Sequence, residues 1–231
     1  MKLGIIVAMD VEVETLKEKL AKKTERTIAG SVYCEGILEG LPVVVVKCGI
    51  GKVNAGMCVQ ILADLFEVTH IINTGVAGSL NADLDIGDIL VSVDAMHHDF
   101  DCSPVGYVPG KIPGLDVLAF PADEKLSVLA FEAAEQVNPG HTKTGRVASG
   151  DQFICDKQVK DRIIANTQAL CTEMEGAAIA HVAYRNKIPF VILRAISDKA
   201  DDSAEMDYPT FERIAAHRCA QVAMNMAKQL R

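Results

Sequence analysis

Residues 42–78, PVVVVKCGIGKVNAGMCVQILADLFEVTHIINTGVAG, decide the fold. The four valines at 43–46 and the Ile71-Ile72 pair mark two short β-branched runs, predicted as strands over 43–47 and 70–74. Between them, residues 53–66 set apolar side chains at helical spacing, so the stretch reads strand, helix, strand. Strands that are nearly continuously apolar indicate a largely parallel sheet covered by helices on both faces.

Working outward, the same signals predict strands over 3–9, 89–93, 169–172 and 190–195. Further helices are predicted over 11–22, 124–136, 175–185 and 209–230, the last with Pro209 in its first turn, where proline is tolerated. Residues 31–38, Glu39-Gly40 and 42–47 read as a hairpin. Residues 94–121 carry four prolines among histidines, aspartates and glycines and read as one long loop, a type that is usually functional or at an interface. No repeat, low-complexity tract or linker divides the chain. The expectation is one domain over 1–231, a three-layer α/β/α fold around a central mixed twisted sheet.

The chain has 231 residues, 49% hydrophobic and 23% charged, which fits a globular domain and not a disordered tract. Twenty-three Lys and Arg against 31 Asp and Glu leave a net charge of −8 with no basic block. Charge-driven binding to nucleic acid or an anionic membrane is therefore not expected. Apolar runs such as 3–9 fall far short of the ~20 residues that span a bilayer, and this one is also too short for a secretory segment. Seven cysteines, an odd number without a C-x-x-C pair, read as buried thiols in a reducing cytoplasm. His97-His98-Asp99 invites a metal, yet no further His or Cys nearby completes a ligand spacing, and no metal or cofactor is expected.

Gly49-Ile50-Gly51-Lys52 matches neither nucleotide-binding signature. A dinucleotide fingerprint would need glycine where Asn54 stands, and a P-loop would need glycine at Val46 and a hydroxyl at Val53. These glycines read as a sharp turn from strand into helix. Ligands of open α/β sheets bind at the carboxyl ends of strands. Those ends carry Asp10, Glu12 and Glu14; Gly75-Val76-Ala77-Gly78-Ser79; Glu173-Met174-Glu175; and Ser197-Asp198. An acid in a first helical turn often does no more than complement the helix dipole, but this set converges on one sheet edge.

Six segments in order, 4–14, 48–55, 72–78, 149–154, 173–178 and 194–201, resemble the 5′-methylthioadenosine/S-adenosylhomocysteine nucleosidases of the nucleoside phosphorylase superfamily. Their cores are Met9-Asp10-Val11-Glu12, Asn73-Thr74-Gly75-Val76-Ala77-Gly78, Gly150-Asp151-Gln152-Phe153-Ile154, Glu173-Met174-Glu175 and Arg194-Ala195-Ile196-Ser197-Asp198. The resemblance implies hydrolysis of an adenine N-ribosidic bond, a place in methionine salvage, a small nucleoside substrate and a homodimer.

It also implies roles. Asp198 matches the acid that protonates adenine N7, so that the base leaves neutral. A free aspartic acid titrates near ~3.9, so this role requires burial or a hydrogen bond to keep the proton on it. Glu12 matches the residue that orients and deprotonates the attacking water, with Arg194 helping to hold it. Glu175 matches the ligand of the ribose hydroxyls, with Met174 against the sugar, although Met174 reads equally well as core filling. Phe153 matches the aromatic that stacks on adenine, and Ile154 the backbone that reads the base edge. Ala77, Gly78, Glu173 and Ser197 fall within the binding segments. Met9, Ile50 and Tyr208, with Cys102, Val105 and Pro113 of a second subunit, would enclose the 5′-thioalkyl group. Val76 departs from the pattern, which has serine beside the ribose.

Other readings stay open. A phosphorylase on the same fold would need a basic phosphate cradle, whereas this sheet edge is acidic. A hydrolase of futalosine-type nucleosides or a non-catalytic nucleoside-binding module would share the fold.

Overall fold

The computed structural model describes the backbone of residues 1–7, 10–201 and 204–231, and the side chains of these apart from 11, 12, 205–207, 209 and 212. The chain runs β1 (Leu3–Val7), α1 (Asp10–Glu18), β2 (Ala21–Ile28), β3 (Ser31–Leu38), β4 (Leu41–Lys47), α2 (Lys52–Phe66), β5 (His70–Ser79) and β6 (Ile89–His97). It continues through a 3-10 turn at Ser103–Val105, β7 (Phe120–Pro121), α3 (Glu124–Val137), β8 (Thr142–Ser149), α4 (Lys157–Thr167), β9 (Cys171–Glu173), α5 (Gly176–Asn186), β10 (Phe190–Asp198) and α6 (Ala204–Gln229).

Strand alternation sorts the core into two layers. Leu3, Ile5, Val43 and Val45 face α1, α3 and α6, while Ile6, Val44 and Val46 face α2 and α5. Both faces of the valine run are thus buried, because side chains point alternately to opposite sides of a strand. The three-layer reading of the sequence holds.

The sheet order is β2-β3-β4-β1-β5, with β1 parallel to both β4 and β5. Beyond β5 the sheet closes on itself. β10 pairs parallel to β5 and antiparallel to β6, β6 with β8, β8 with β9, and β9 returns to β5 through Gly78↔Thr172 and Ser79↔Cys171. This ring has no free strand edges. At the opposite end β2 is an exposed edge strand, and its charged residues Lys22, Lys23, Glu25 and Arg26 discourage further pairing.

Several elements differ from the sequence reading. The first helix stops at Glu18, and residues 21–28 form β2, whose register with β3 shifts between Ala21 and Thr24, where Lys22 takes φ +53°. β5 continues through Ser79 instead of turning after Thr74, since its second half pairs with β10 and β9. β6 extends to His97, so the irregular segment is 98–119 and not 94–121. α6 starts at Ala204, which puts position 209 beyond the first turn. β8 and α4 were not expected. β8 is polar, and its Arg146 forms a two-bond pair with Asp94 of β6, Nε–Oδ1 2.7 Å and Nη2–Oδ2 2.8 Å. α4 buries little beyond Ile163 and Thr167, and Asp156 caps its N-terminus by accepting from the amides of Gln158 and Val159.

The hairpin joins β3 to β4 with Leu38 opposite Leu41. Glu39 and Gly40 both have positive φ, 51° and 89°, the geometry that suits the twist of a two-residue hairpin.

Candidate active site

A cavity of about 360 Å³ opens where β5, β9 and β10 meet the first turns of α2 and α5. β10 supplies Arg194, Ser197 and Asp198, and β5 supplies Gly75 to Gly78. The segment from β9 into α5 brings Thr172, Glu173, Met174 and Glu175, and the loop after β8 brings Gln152, Phe153 and Ile154. Ile50, Ala200 and Tyr208 complete the wall. β9 runs antiparallel to β5, so Glu173 and Glu175 enter from the opposite direction to Asp198, and only ring closure brings the three acids together.

A bulge in β10 aims Asp198. Its register with β5 shifts between Ile196 and Asp198, and the extra residue re-directs the strand end, as bulges beside functional sites do. Asp198 is 3% exposed. Its Oδ2 accepts from the Ser197 hydroxyl at 2.9 Å and its Oδ1 from the Ala200 amide at 2.8 Å. Gly78 makes this approach possible, because a Cβ there would stand 2.6 Å from Asp198 Oδ1 and 2.8 Å from Ala200 Cβ.

Behind the acids lies a buried network. Arg194 Nη2 donates to Glu173 Oε2 at 2.5 Å and to Asn73 Oδ1 at 2.6 Å. Asn73 Nδ2 in turn donates to the Ile6 carbonyl of β1 at 3.0 Å. Glu173 also accepts from the Ser149 hydroxyl and from the amides of Glu175 and Gly176. Burial pushes its carboxyl up, but the Arg194 charge and these donors outweigh it and hold the group below its ordinary value. Glu173 is therefore an ionised carboxylate already engaged by the protein, placed to hold Arg194 and the first turn of α5.

Glu175 Oε1 accepts from the Gly51 amide at 2.8 Å. Gly51 has φ 97°, a left-handed conformation that favours glycine. The turn read from Gly49 and Gly51 thus presents the first amides of α2 to carboxylates, as helix N-termini do. Phe153, 48% exposed, meets Tyr208 edge to face with ring centroids 5.7 Å apart and planes at 84°. The two rings form one rim of the cavity.

Thirteen of the sequence-read residues line this cavity: the β5, β9 and β10 set together with Ile50, Phe153, Ile154 and Tyr208. Cys102, Val105 and Pro113 lie in the 98–119 segment and do not line it within one chain. Met9 and the side chain of Glu12 lie outside the described residues. Gln152, Thr172 and Ala200 were not singled out from sequence, although Gln152 and Ala200 sit inside motifs that were. His97 packs against Phe120 and His181, and the His98 ring covers Gly150. Among the described residues no group of three potential ligands is placed to hold a metal.

Residues 2–228 match the family model of the phosphorylase superfamily. A 5′-methylthioadenosine/S-adenosylhomocysteine nucleosidase from Halalkalibacterium halodurans is 41% identical, covering 99% of each chain. The structure of the corresponding nucleosidase of Colwellia psychrerythraea in complex with adenine superposes with a TM-score of 0.95 at 38% identity, covering 100% of this chain and 96% of that one. A futalosine hydrolase of Helicobacter pylori superposes at 0.94 with 33% identity, covering 99% and 98%. The chain belongs to the phosphorylase superfamily and, within it, to the 5′-methylthioadenosine/S-adenosylhomocysteine nucleosidase family.

Proposed function

We propose that this protein hydrolyses the adenine N-ribosidic bond of 5′-methylthioadenosine and S-adenosylhomocysteine, releasing adenine and the 5-thioribose product. The observation that carries this reading is Asp198, a buried carboxyl aimed by a strand bulge into a cavity rimmed by Phe153 and Tyr208. The base stacks on Phe153 and its edge meets the Ile154 backbone, while Asp198 donates a proton to N7 as the bond to the sugar breaks. Glu175 binds the ribose hydroxyls from its seat on the α2 turn, with Met174 beside the sugar. Water oriented by Glu12 and Arg194 attacks the sugar carbon and loses its proton to Glu12. Carboxylates around the developing oxocarbenium ion lower its energy because they are in place before charge develops.

The cavity favours water over phosphate. Apart from the proton donor Asp198, its described wall holds two carboxylates, Glu173 and Glu175, against one cation, Arg194, which is paired with Glu173. A phosphate dianion would enter an acidic, partly desolvated site with no unpaired cation to receive it.

Ile50, Val76, Phe153 and Tyr208 make the upper wall apolar, which suits a thioalkyl chain at roughly 0.8 kcal/mol per buried CH₂. In a homodimer, Cys102, Val105 and Pro113 of a second copy would complete it. The exposed apolar side chains of Ile50, Val53 and Met57 on and before α2, and of Val105, Tyr107 and Val108 on the 98–119 segment, support such an assembly. Seven cysteines, five of them buried and none in a C-x-x-C pair, support a reducing, cytoplasmic setting.

The test is adenine release from methylthioadenosine with and without phosphate, with adenosylhomocysteine, adenosine and futalosine run in parallel. Free thioribose formed without phosphate is the expected product. A sugar 1-phosphate, or dependence on phosphate, would reverse the reading, and a higher kcat/KM for futalosine would reassign the substrate.

A further inference from the structure

We propose that Asp99 is a positioning residue: by bridging Lys52 and the backbone of Asp151, it sets the base-stacking loop at a defined distance from Glu175. The two amides that open α2 are each taken by a carboxylate from a different part of the chain. Gly51 N–H donates to Glu175 Oε1 and Lys52 N–H to Asp151 Oδ1, both at 2.8 Å. Asp99 closes the figure, accepting from Lys52 Nζ at 2.5 Å through Oδ1 and from the Asp151 amide at 3.0 Å through Oδ2. One helix start therefore references both the ribose-binding carboxylate and the loop that carries Phe153 and Ile154.

This loop has little other anchorage. Asp151, Gln152 and Phe153 are exposed, and only Ile154 reaches the small core under α4. On its other side Gly150 donates to the Glu173 carbonyl at 3.1 Å and lies so close under the His98 ring that a Cβ would be 2.3 Å away. Burial pushes the Asp99 carboxyl up, but the Lys52 side chain and the Asp151 amide more than offset this, so it stays below the ordinary range and ionised. An exposed ion pair contributes little to stability. This one is set apart by its two side chains, 21% and 19% exposed, and by the second bond to a backbone amide of the substrate loop.

The inference rests on the proposed nucleosidase reading, and its test separates the two. Wild-type protein is first assayed for adenine release and, by calorimetry, for adenine binding. Asp99→Asn, Lys52→Met, their double variant and Lys52→Arg then follow, each with its melting temperature. Loss of a charge-assisted positioning bond is expected to raise KM for methylthioadenosine and Kd for adenine about tenfold, with kcat changed less than about threefold. The double variant should be no worse than the worse single one, because both remove one pair, and Lys52→Arg should restore most of the loss. Should Asp99→Asn fail to fold, Lys52→Met still breaks the pair while leaving the Asp99 bond to the Asp151 amide. Unchanged KM and Kd, additive losses, or a lowered melting temperature with normal binding per folded molecule would overturn the role of Asp99. Wild-type protein that neither releases nor binds adenine would overturn the underlying function.

Discussion

Arg194 Nη2 and Glu173 Oε2 lie 2.5 Å apart in the cavity floor, their residues 2% and 8% exposed. Removing one partner of such a pair leaves the other charge buried, which typically costs ~3–5 kcal/mol, whereas removing both costs much less. Arg194→Met and Glu173→Gln should each destabilise the protein on that scale in denaturant unfolding, and the double variant by less than the sum. Because the Glu173 carboxyl titrates below its ordinary 4.5, its stabilisation is complete above that pH. It is lost as pH falls through the lower folded value, so the gap between wild type and Glu173→Gln should close in acid. Additive losses, or a gap independent of pH, would show that the pair is not coupled.

Gly78→Ala should lower kcat by tenfold or more. The new methyl would sit 2.6 Å from Asp198 Oδ1, and misplacing a proton donor by about 1 Å costs on the order of 10²-fold in rate. An unchanged kcat would mean that Asp198 need not hold this position during the reaction.

Asp198→Asn and Glu12→Gln should each reduce turnover by at least ~10²-fold while adenine binding survives better, the usual scale for a positioned acid or base. Calorimetry alongside steady-state kinetics separates the two effects. Near-normal turnover in either variant would reassign the proton-transfer group.

His97 should make the fold acid-sensitive. Burial first, then the Lys52 and His181 charges, lower its pKa from 6.5 to about 4, against smaller opposing effects of Asp99 and Glu173. Above pH 6.5 the imidazole is neutral in both folded and unfolded chains. As pH falls toward 4 only the unfolded chain gains the proton, so stability drops, by up to ~3 kcal/mol from this group. Unfolding free energies from pH 7 to 4.5 should decline less steeply in His97→Gln, and equal slopes would remove His97 as the cause.

Val105 is 72% exposed on the 98–119 segment. If that segment completes a neighbour's cavity, Val105→Asp should shift sedimentation toward monomer and raise KM for the thio-nucleoside while the melting profile of the monomer is retained. Buried in an interface, an unpaired carboxylate is strongly unfavourable. Wild type that sediments as an active monomer would remove the shared cavity altogether.

Local chemistry was enough to read much of this protein. The valine run at 43–46 marks a strand buried on both faces, Glu39-Gly40 marks a hairpin turn, and Gly49 and Gly51 mark a turn into α2, because each of these rests on side-chain alternation or on φ preference within a few residues. Glu173, Glu175 and Asp198 stood out as acids after predicted strands, while their roles and that of Arg194 came only from the resemblance of their motifs to those of a known family. Tertiary structure alone decided what those motifs became. β2 and β8 are too polar to announce themselves, and they are strands because neighbours supply their hydrogen bonds. Closure of β5, β10, β6, β8 and β9 into a ring turns Glu173 and Asp198, from antiparallel directions, into one cavity. The bulge at Ser197 and the Asn73–Arg194–Glu173 network depend on contacts between residues up to 121 positions apart. Periodicity carries no record of such pairings, since it reports which face of an element is buried and not which partner buries it.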